Sequence, residues 1–184
     1  MKLDGYKVRP VTYKEAKEFT RVWHYSGTCP PSGLYYGLYY PTTELVGVAV
    51  YGAPAMRNQS KCYGADIELR RLCCIDLTPP NTESYFIAIT LRLLRRLNFK
   101  RVLSLADPEH GHSGAIYRAA NFIYQGVERG GGSRKIFIDG KPIHSRTAYA
   151  KYGASGLRGL QEALPRHKIE VVNSQRKHVF TFDL

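Results

Sequence analysis

A chain of 184 residues with 43% hydrophobic content has enough apolar surface for one packed core and little room for two. That content excludes a disordered chain, and no run of about eighteen apolar residues is present to span a membrane. A formal charge of +12 and a pI near 9.6 attract polyanions, which puts nucleic acid first among the expected partners.

The N-terminal MKLDGYKVRP lacks the apolar core of a signal peptide, so the expected location is the cytoplasm in which the chain is made. A first helix is predicted over TYKEAKEFTRVWHYS, with Thr12 as its cap and Ala16, Phe19 and Trp23 at helical spacing. SGLYYGLYY and ELVGVAVYG read as strands joined by the turn PTTE, an antiparallel hairpin. ADIELRRLCCIDL is a longer strand, ended by Pro79 and Pro80. A second helix over NTESYFIAITLRLLRRL is capped by Asn81 or Thr82, with Phe86, Ile89, Leu93 and Leu97 as its apolar side. KRVLSLAD is a short buried strand, and SGAIYRAANF a helix with Ser113 near its start as N-cap. Asp139-Gly140 marks a hairpin, and TAYAKYGASGLRGLQEAL is helical with interruptions at Gly153 and Gly156. The tail KIEVVNSQRKHVFTFDL reads as two strands around NSQR. Strand, helix, strand and helix in the middle of this order require a locally parallel pair with a crossover, while the hairpins require antiparallel neighbours. The expected architecture is a mixed α/β sheet flanked by helices, in a single domain over residues 1–184.

Chemistry concentrates in LADPEHGHSGAIYRAANFIYQG, from Leu105 to Gly126. Asp107 ends a strand and Tyr117 sits in the next helix, so both can face a cleft at the strand's carboxyl end. His112 is a candidate proton shuttle, because imidazole titrates near neutrality, and His110 with it is a second i, i+2 metal chelator or a plain surface turn. Ser113 has no identifiable base partner and suits a helix cap better than a nucleophile. Arg70 and Arg71 alternate faces of a strand, so one at most lines the cleft. Arg92, Arg95 and Arg96 share a helix face that, with Lys100 and Arg101, can bind phosphates or simply meet water. Cys29, Cys62, Cys73 and Cys74 show no CxxC spacing and read as reduced thiols.

GAIYRAANFIYQG resembles the helix-and-strand signature of the GNAT acyltransferases, with Asn121 where a glycine is usual. The resemblance implies a GNAT-like fold and makes Tyr117 the acid that protonates the leaving group. DLTPPNTES lacks the glycines with which such enzymes hold the pyrophosphate of coenzyme A. Thr82 and Ser84, at the following helix N-terminus, are then the candidates for holding the cofactor, since free N–H groups there attract an anion. VWHYSG, ELRRL, SLADPEHGHSGAIYRAANFIYQG and DGKPIHSR together resemble the Mom family of phage DNA-modification proteins. That resemblance implies action on double-stranded DNA in the cytoplasm of a host bacterium. Adenine would become N6-(carbamoylmethyl)adenine, which blocks host restriction. It also implies iron, with His24, Tyr25, Asp107 and Tyr117 as ligands and catalytic residues.

Adenine N6 lies in the base-paired edge, so an enzyme acting there needs a flipped base, and Trp23, Phe122 and the many tyrosines are candidates to stack on it. Asp107 would take the N6 proton and Tyr117 would act as acid. Acetyl transfer lacks the terminal nitrogen of that product. A glycyl group supplies the right atoms if its amine then attacks C6 and expels the original nitrogen as the amide. This favours a glycyl donor such as glycyl-tRNA, with acetyl-CoA and iron-dependent chemistry as the rival. Two other classes stay open: a GNAT N-acetyltransferase acting on a protein or small amine, and a DNA-binding module without activity. The oligomeric state is open, a homodimer included.

Overall fold

Thr12 and Glu15 close a reciprocal capping box in the computed structural model, which describes residues 5–40, 43–55, 61–129 and 134–184. The Thr12 hydroxyl accepts from Glu15 N at 3.2 Å and the Glu15 carboxylate accepts from Thr12 N at 2.7 Å, so two otherwise orphaned donors are satisfied. Helix α1 (Tyr13–Trp23) follows and buries Ala16, Phe19 and Thr20. Ahead of it runs β1 (Lys7–Pro10), a polar edge strand with no apolar alternation to betray it.

Strands β2 (Leu34–Tyr39) and β3 (Leu45–Gly52) form the predicted antiparallel hairpin, and Pro41 and Thr42 of its turn lie outside the described residues. The near-continuous apolar run of β3 has a cause: it is covered on both faces. Val48 and Val50 pack with Ala16 and Phe19 of α1, while Ala49 and Tyr51 join the main core on the other side. Strand β4 (Ile67–Cys74) pairs antiparallel with β3, and Cys73 is buried as a free thiol.

Helix α2 (Thr82–Arg96) covers the main core. Its buried side is Thr82, Phe86, Ile87, Thr90, Leu91 and Leu94, which corrects the expected stripe: of Phe86, Ile89, Leu93 and Leu97, Phe86 alone is fully buried. Thr90 explains the shift, since its hydroxyl meets the Tyr51 hydroxyl at 2.7 Å inside the core, a polar pair in a place that hydrophobic spacing assigns to an apolar residue. Burying Phe86 and Leu94 contributes about 1.5–3 kcal/mol each. Asn81 precedes the helix at φ 69° without a side-chain cap.

Strand β5 (Arg101–Ala106) then pairs parallel with β4, as the crossover requires. The ladder joins Ile67–Leu69 to Val102–Ser104 and ends there, although both strands run on, so an opening lies between their carboxyl halves. Helix α3 (Ala115–Ala119), β6 (Ile123–Val127) and β10 (His178–Asp183) complete a seven-stranded sheet in the order β1-β2-β3-β4-β5-β10-β6. The predicted cap Ser113 is replaced by Gly114, at φ 79°. Asn121 takes φ 63°, a conformation that asparagine tolerates better than most residues, which accounts for its standing where glycine is usual.

The chain packs as two compact units, and these elements belong to the first. The second comprises Asp107–Gly111 and Val127–Lys177. There β7 (Arg134–Ile138) and β8 (Lys141–Ile143) meet at Asp139-Gly140, both at positive φ, and β9 (Ile169–Asn173) pairs with β7 in a sheet ordered β8-β7-β9. Helices α4 (Ser145–Tyr152) and α5 (Leu157–Ala163) break at Gly153 and Gly156 as predicted, and Ile136, Ala148, Leu160 and Ile169 form this unit's core. The two tail strands therefore enter different sheets.

Candidate functional site

Tyr117 is the third residue of α3 and only 8% exposed. Its ring packs on Phe122 at 5.6 Å and Phe180 at 5.3 Å between centroids. A Cβ on Gly114 would meet the Phe180 ring at 2.3 Å, so glycine is required for α3 to approach β10 closely enough to bury Tyr117. Burial pushes the phenol well above its ordinary pKa, and the charges of Tyr25 and Glu68 push the same way. The neighbouring Ser104 hydroxyl opposes them, although it is buried without a well-formed hydrogen bond. Tyr117 is therefore held as a neutral acid.

His24 caps the C-terminus of α1, and its Nδ1 accepts from Ser26 N at 3.1 Å and from the Ser26 hydroxyl at 2.9 Å. The proton of the neutral ring then sits on Nε2. The His24 and Tyr25 rings lie 4.3 Å apart between centroids, and Tyr25 lies 5.3 Å from His112. Tyr25 is 52% exposed, so this row of rings meets solvent. The structure thus brings His24, Tyr25, His112 and Tyr117 together.

Glu68 was not visible as a site residue. It is buried in β4, its Oε2 accepts from Ala55 N at 2.6 Å, and its charge is felt at Tyr117. An acid inside the run DIELRRLCC reads as the solvent side of a strand; its one signal is that the neighbouring positions leave no exposed face for it. Arg71 donates to the Thr28 carbonyl at 2.9 Å and to the Thr28 hydroxyl at 3.1 Å. Burial lowers its pKa while the charge of Tyr25 supports it. Arg70 lies under Gly52, where a Cβ would meet its Cδ at 3.2 Å. Phe122 is buried against Tyr117 and Phe182, so it offers no ring to a base, whereas Trp23 is 44% exposed.

Asp107 falls in the second unit. Its Oδ1 accepts from Glu109 N at 3.1 Å, capping a single 3-10 turn, and its Oδ2 pairs with Lys177 at 3.3 Å. The expected iron finds no support in these facts: among the described residues no three His, Cys, Asp or Glu side chains gather as a metal site, both Asp107 carboxylate oxygens are paired, and the Tyr117 phenol is held protonated. The hydroxyls of Thr82 and Ser84, expected to hold the cofactor, are turned to the chain's own carbonyls. Thr82 donates its hydroxyl to Pro79 O at 2.7 Å and Ser84 to Asn81 O at 3.0 Å, while Pro79 and Pro80 supply no N–H and Glu83 adds a negative charge to the first turn.

Arg92, Arg95 and Arg96 are exposed on the outer side of α2, and Lys100 is exposed beyond its end. Arg101 leaves this group: it pairs with Asp183 and donates to Tyr63 O at 3.1 Å. No helix among the described residues is long and apolar enough to cross a membrane.

The family model for the Mom protein family matches residues 5–184. A curated relative, the methylcarbamoylase Mom of Escherichia phage Mu, is 31% identical over 137 residues, which are 68% of this chain and 56% of that protein. The chain thus matches a little over half the length of that relative. Among solved structures, an N-acetyltransferase from Staphylococcus aureus Mu50 is similar with a TM-score of 0.55 at 13% identity, covering 97% of each chain. A GNAT family acetyltransferase from Elizabethkingia anophelis with acetyl-CoA bound has a TM-score of 0.50 at 11% identity, covering 98% of this chain and 99% of that one. At such identities these likenesses establish the fold, a GNAT-like mixed sheet flanked by helices.

Proposed function

Because the chain belongs to the Mom protein family, we propose that it is a DNA-modification transferase that converts adenine N6 to N6-(carbamoylmethyl)adenine in double-stranded DNA and so protects that DNA from restriction. The observation that carries the reading is the cluster of His24, Tyr25 and His112 with the buried neutral Tyr117, in a unit where β4 and β5 part.

The chemistry follows from these groups. Adenine N6 attacks the carbonyl of a glycyl ester, and the bond to the ester oxygen breaks. Tyr117, kept protonated by burial, donates to that departing oxygen. Glu68, the carboxylate whose charge acts on Tyr117, is the candidate to receive the N6 proton in place of Asp107, which is held by Lys177 and Glu109 N. The glycyl amine then attacks C6 through a five-membered ring, and the C6–N6 bond breaks, leaving the original nitrogen as the terminal amide. Atoms balance without an oxidant, which favours a glycyl-tRNA donor over acetyl-CoA. The exposed Tyr25 and Trp23 rings suit an everted base.

The test is mass spectrometry of nucleosides from DNA of cells making the protein. A heavier deoxyadenosine species is expected; unmodified DNA alongside good yields of folded protein would overturn the reading. The GNAT fold favours one second reading, N-acetyl transfer to a protein or small amine. Acetyl-CoA binding with unaltered nucleosides would select it.

A further inference from the structure

The second unit carries an open cleft of about 560 Å³ along its three-stranded sheet, lined in part by Asp107, Glu109, Arg134, His144, Ser174 and Lys177. Its polar groups can be accounted for bond by bond. Asp107 Oδ1 accepts from Glu109 N at 3.1 Å, and Asp107 Oδ2 pairs with Lys177 at 3.3 Å. Glu109 Oε1 accepts from Gln175 N at 3.0 Å, and Glu109 Oε2 pairs with Lys135 at 2.5 Å. Each of the four carboxylate oxygens is thus occupied and each acid is neutralised by a lysine.

What remains can donate. The Arg134 guanidinium has no ion-pair partner among the described residues. His144 accepts from Arg146 N through Nδ1 at 3.2 Å, so the neutral ring carries its proton on Nε2. The Ser174 hydroxyl is buried with no hydrogen-bond partner among the described residues. A buried hydroxyl left unbonded is costly, and three donors with no free carboxylate call for an oxyanion. The cleft is far larger than a bare phosphate, and Phe137, Pro142 and Ile143 give it an apolar side.

We propose that this cleft binds a nucleotide through its phosphate, with Arg134, His144 and Ser174 donating to the phosphate oxygens and the base against Phe137. Arg134, His144 and Ser174 take no part in the chemistry assigned to Tyr117, so failure of this proposal would leave that assignment untouched.

Calorimetric titration of the full chain with adenosine 5′-monophosphate, adenosine and a DNA tetranucleotide with or without a 5′-phosphate tests it. The phosphate-bearing probe should bind at least about tenfold more tightly than its phosphate-free counterpart. Preference for the mononucleotide identifies a free nucleotide, and preference for the phosphorylated tetranucleotide a strand end. Arg134→Gln should weaken binding by about tenfold and Ser174→Ala by a few-fold. Arg158→Gln, which alters an exposed arginine paired with Glu162 at 2.9 Å, should change nothing. Ser174→Ala removes an oxygen that has no partner, so it keeps its fold and decides the matter even if Arg134→Gln does not fold. Absence of binding by both phosphate probes, or wild-type affinity in the folded variants, would overturn the proposal.

Discussion

Tyr117 shows how much a single position depends on its neighbours. Its pKa is raised because Phe122 and Phe180 exclude water around it, and that packing requires a glycine at position 114. Tyr117→Phe removes one oxygen without opening a cavity. Product in nucleoside digests should disappear while the thermal midpoint stays within a few degrees of wild type; full activity would remove the acid role from this hydroxyl. Gly114→Ala should do the reverse of a subtle change. The added Cβ meets the Phe180 ring at 2.3 Å and the φ of 79° is itself strained for alanine, so a loss of about 2–4 kcal/mol is expected in urea unfolding. At this scale the sequence was partly legible. His24, Tyr25, His112 and Tyr117 were named from motifs and do gather. Glu68 was hidden because one acid in a strand reads as its wet face, whereas Ile67, Glu68 and Leu69 are all buried.

At the scale of elements, the helices were read by spacing and the errors have polar causes. In α1 the predicted cap Thr12 stands, and of the predicted face Ala16 and Phe19 are buried, while Trp23 is exposed and Thr20 takes its place in the core. Thr12→Ala should cost about 1 kcal/mol in chemical denaturation, by freeing Glu15 N and removing the hydroxyl from the Glu15 carboxylate, which keeps the backbone N–H of residue 12. In α2 the buried face turned toward Thr90, whose hydroxyl also donates back along the helix to Ile87 O at 2.9 Å. Thr90→Val keeps the shape but leaves the buried Tyr51 hydroxyl without this partner, so about 1–3 kcal/mol of destabilisation is expected from the same measurement. A neutral effect would mean that the Tyr51 hydroxyl finds another acceptor. Strand β1 and the separation of β9 from β10 were not legible: the first is short and polar, and the second depends on which distant strand each one meets.

For the whole molecule, buried acids and surface charge give opposite kinds of solution dependence. Cys73 is pushed up to about 12 by burial, and Tyr51 and Tyr117 are raised by the same cause. In the unfolded chain a thiol ionises near 8.5 and a phenol near 10, so the unfolded state loses protons first. These groups therefore support the fold fully below about pH 8.5, and their support falls as pH rises from there toward 12. The urea midpoint should decline steadily between pH 9 and pH 11; a flat profile would mean that these side chains reach water. The surface charge acts on binding instead. The +12 charge and the exposed arginines of α2 predict an affinity for duplex DNA that falls steeply with salt. If Arg92 and Arg95 each neutralise a phosphate, the double change Arg92→Ala with Arg95→Ala should flatten the plot of log affinity against log salt by roughly 1–2 units. Arg101 is held by Asp183, so Arg101→Ala should leave that slope unchanged while lowering stability slightly. Fluorescence anisotropy of labelled duplex at several salt concentrations measures both. An unchanged slope in the double variant would assign the α2 arginines to a solvated face and move the DNA contact elsewhere on the molecule.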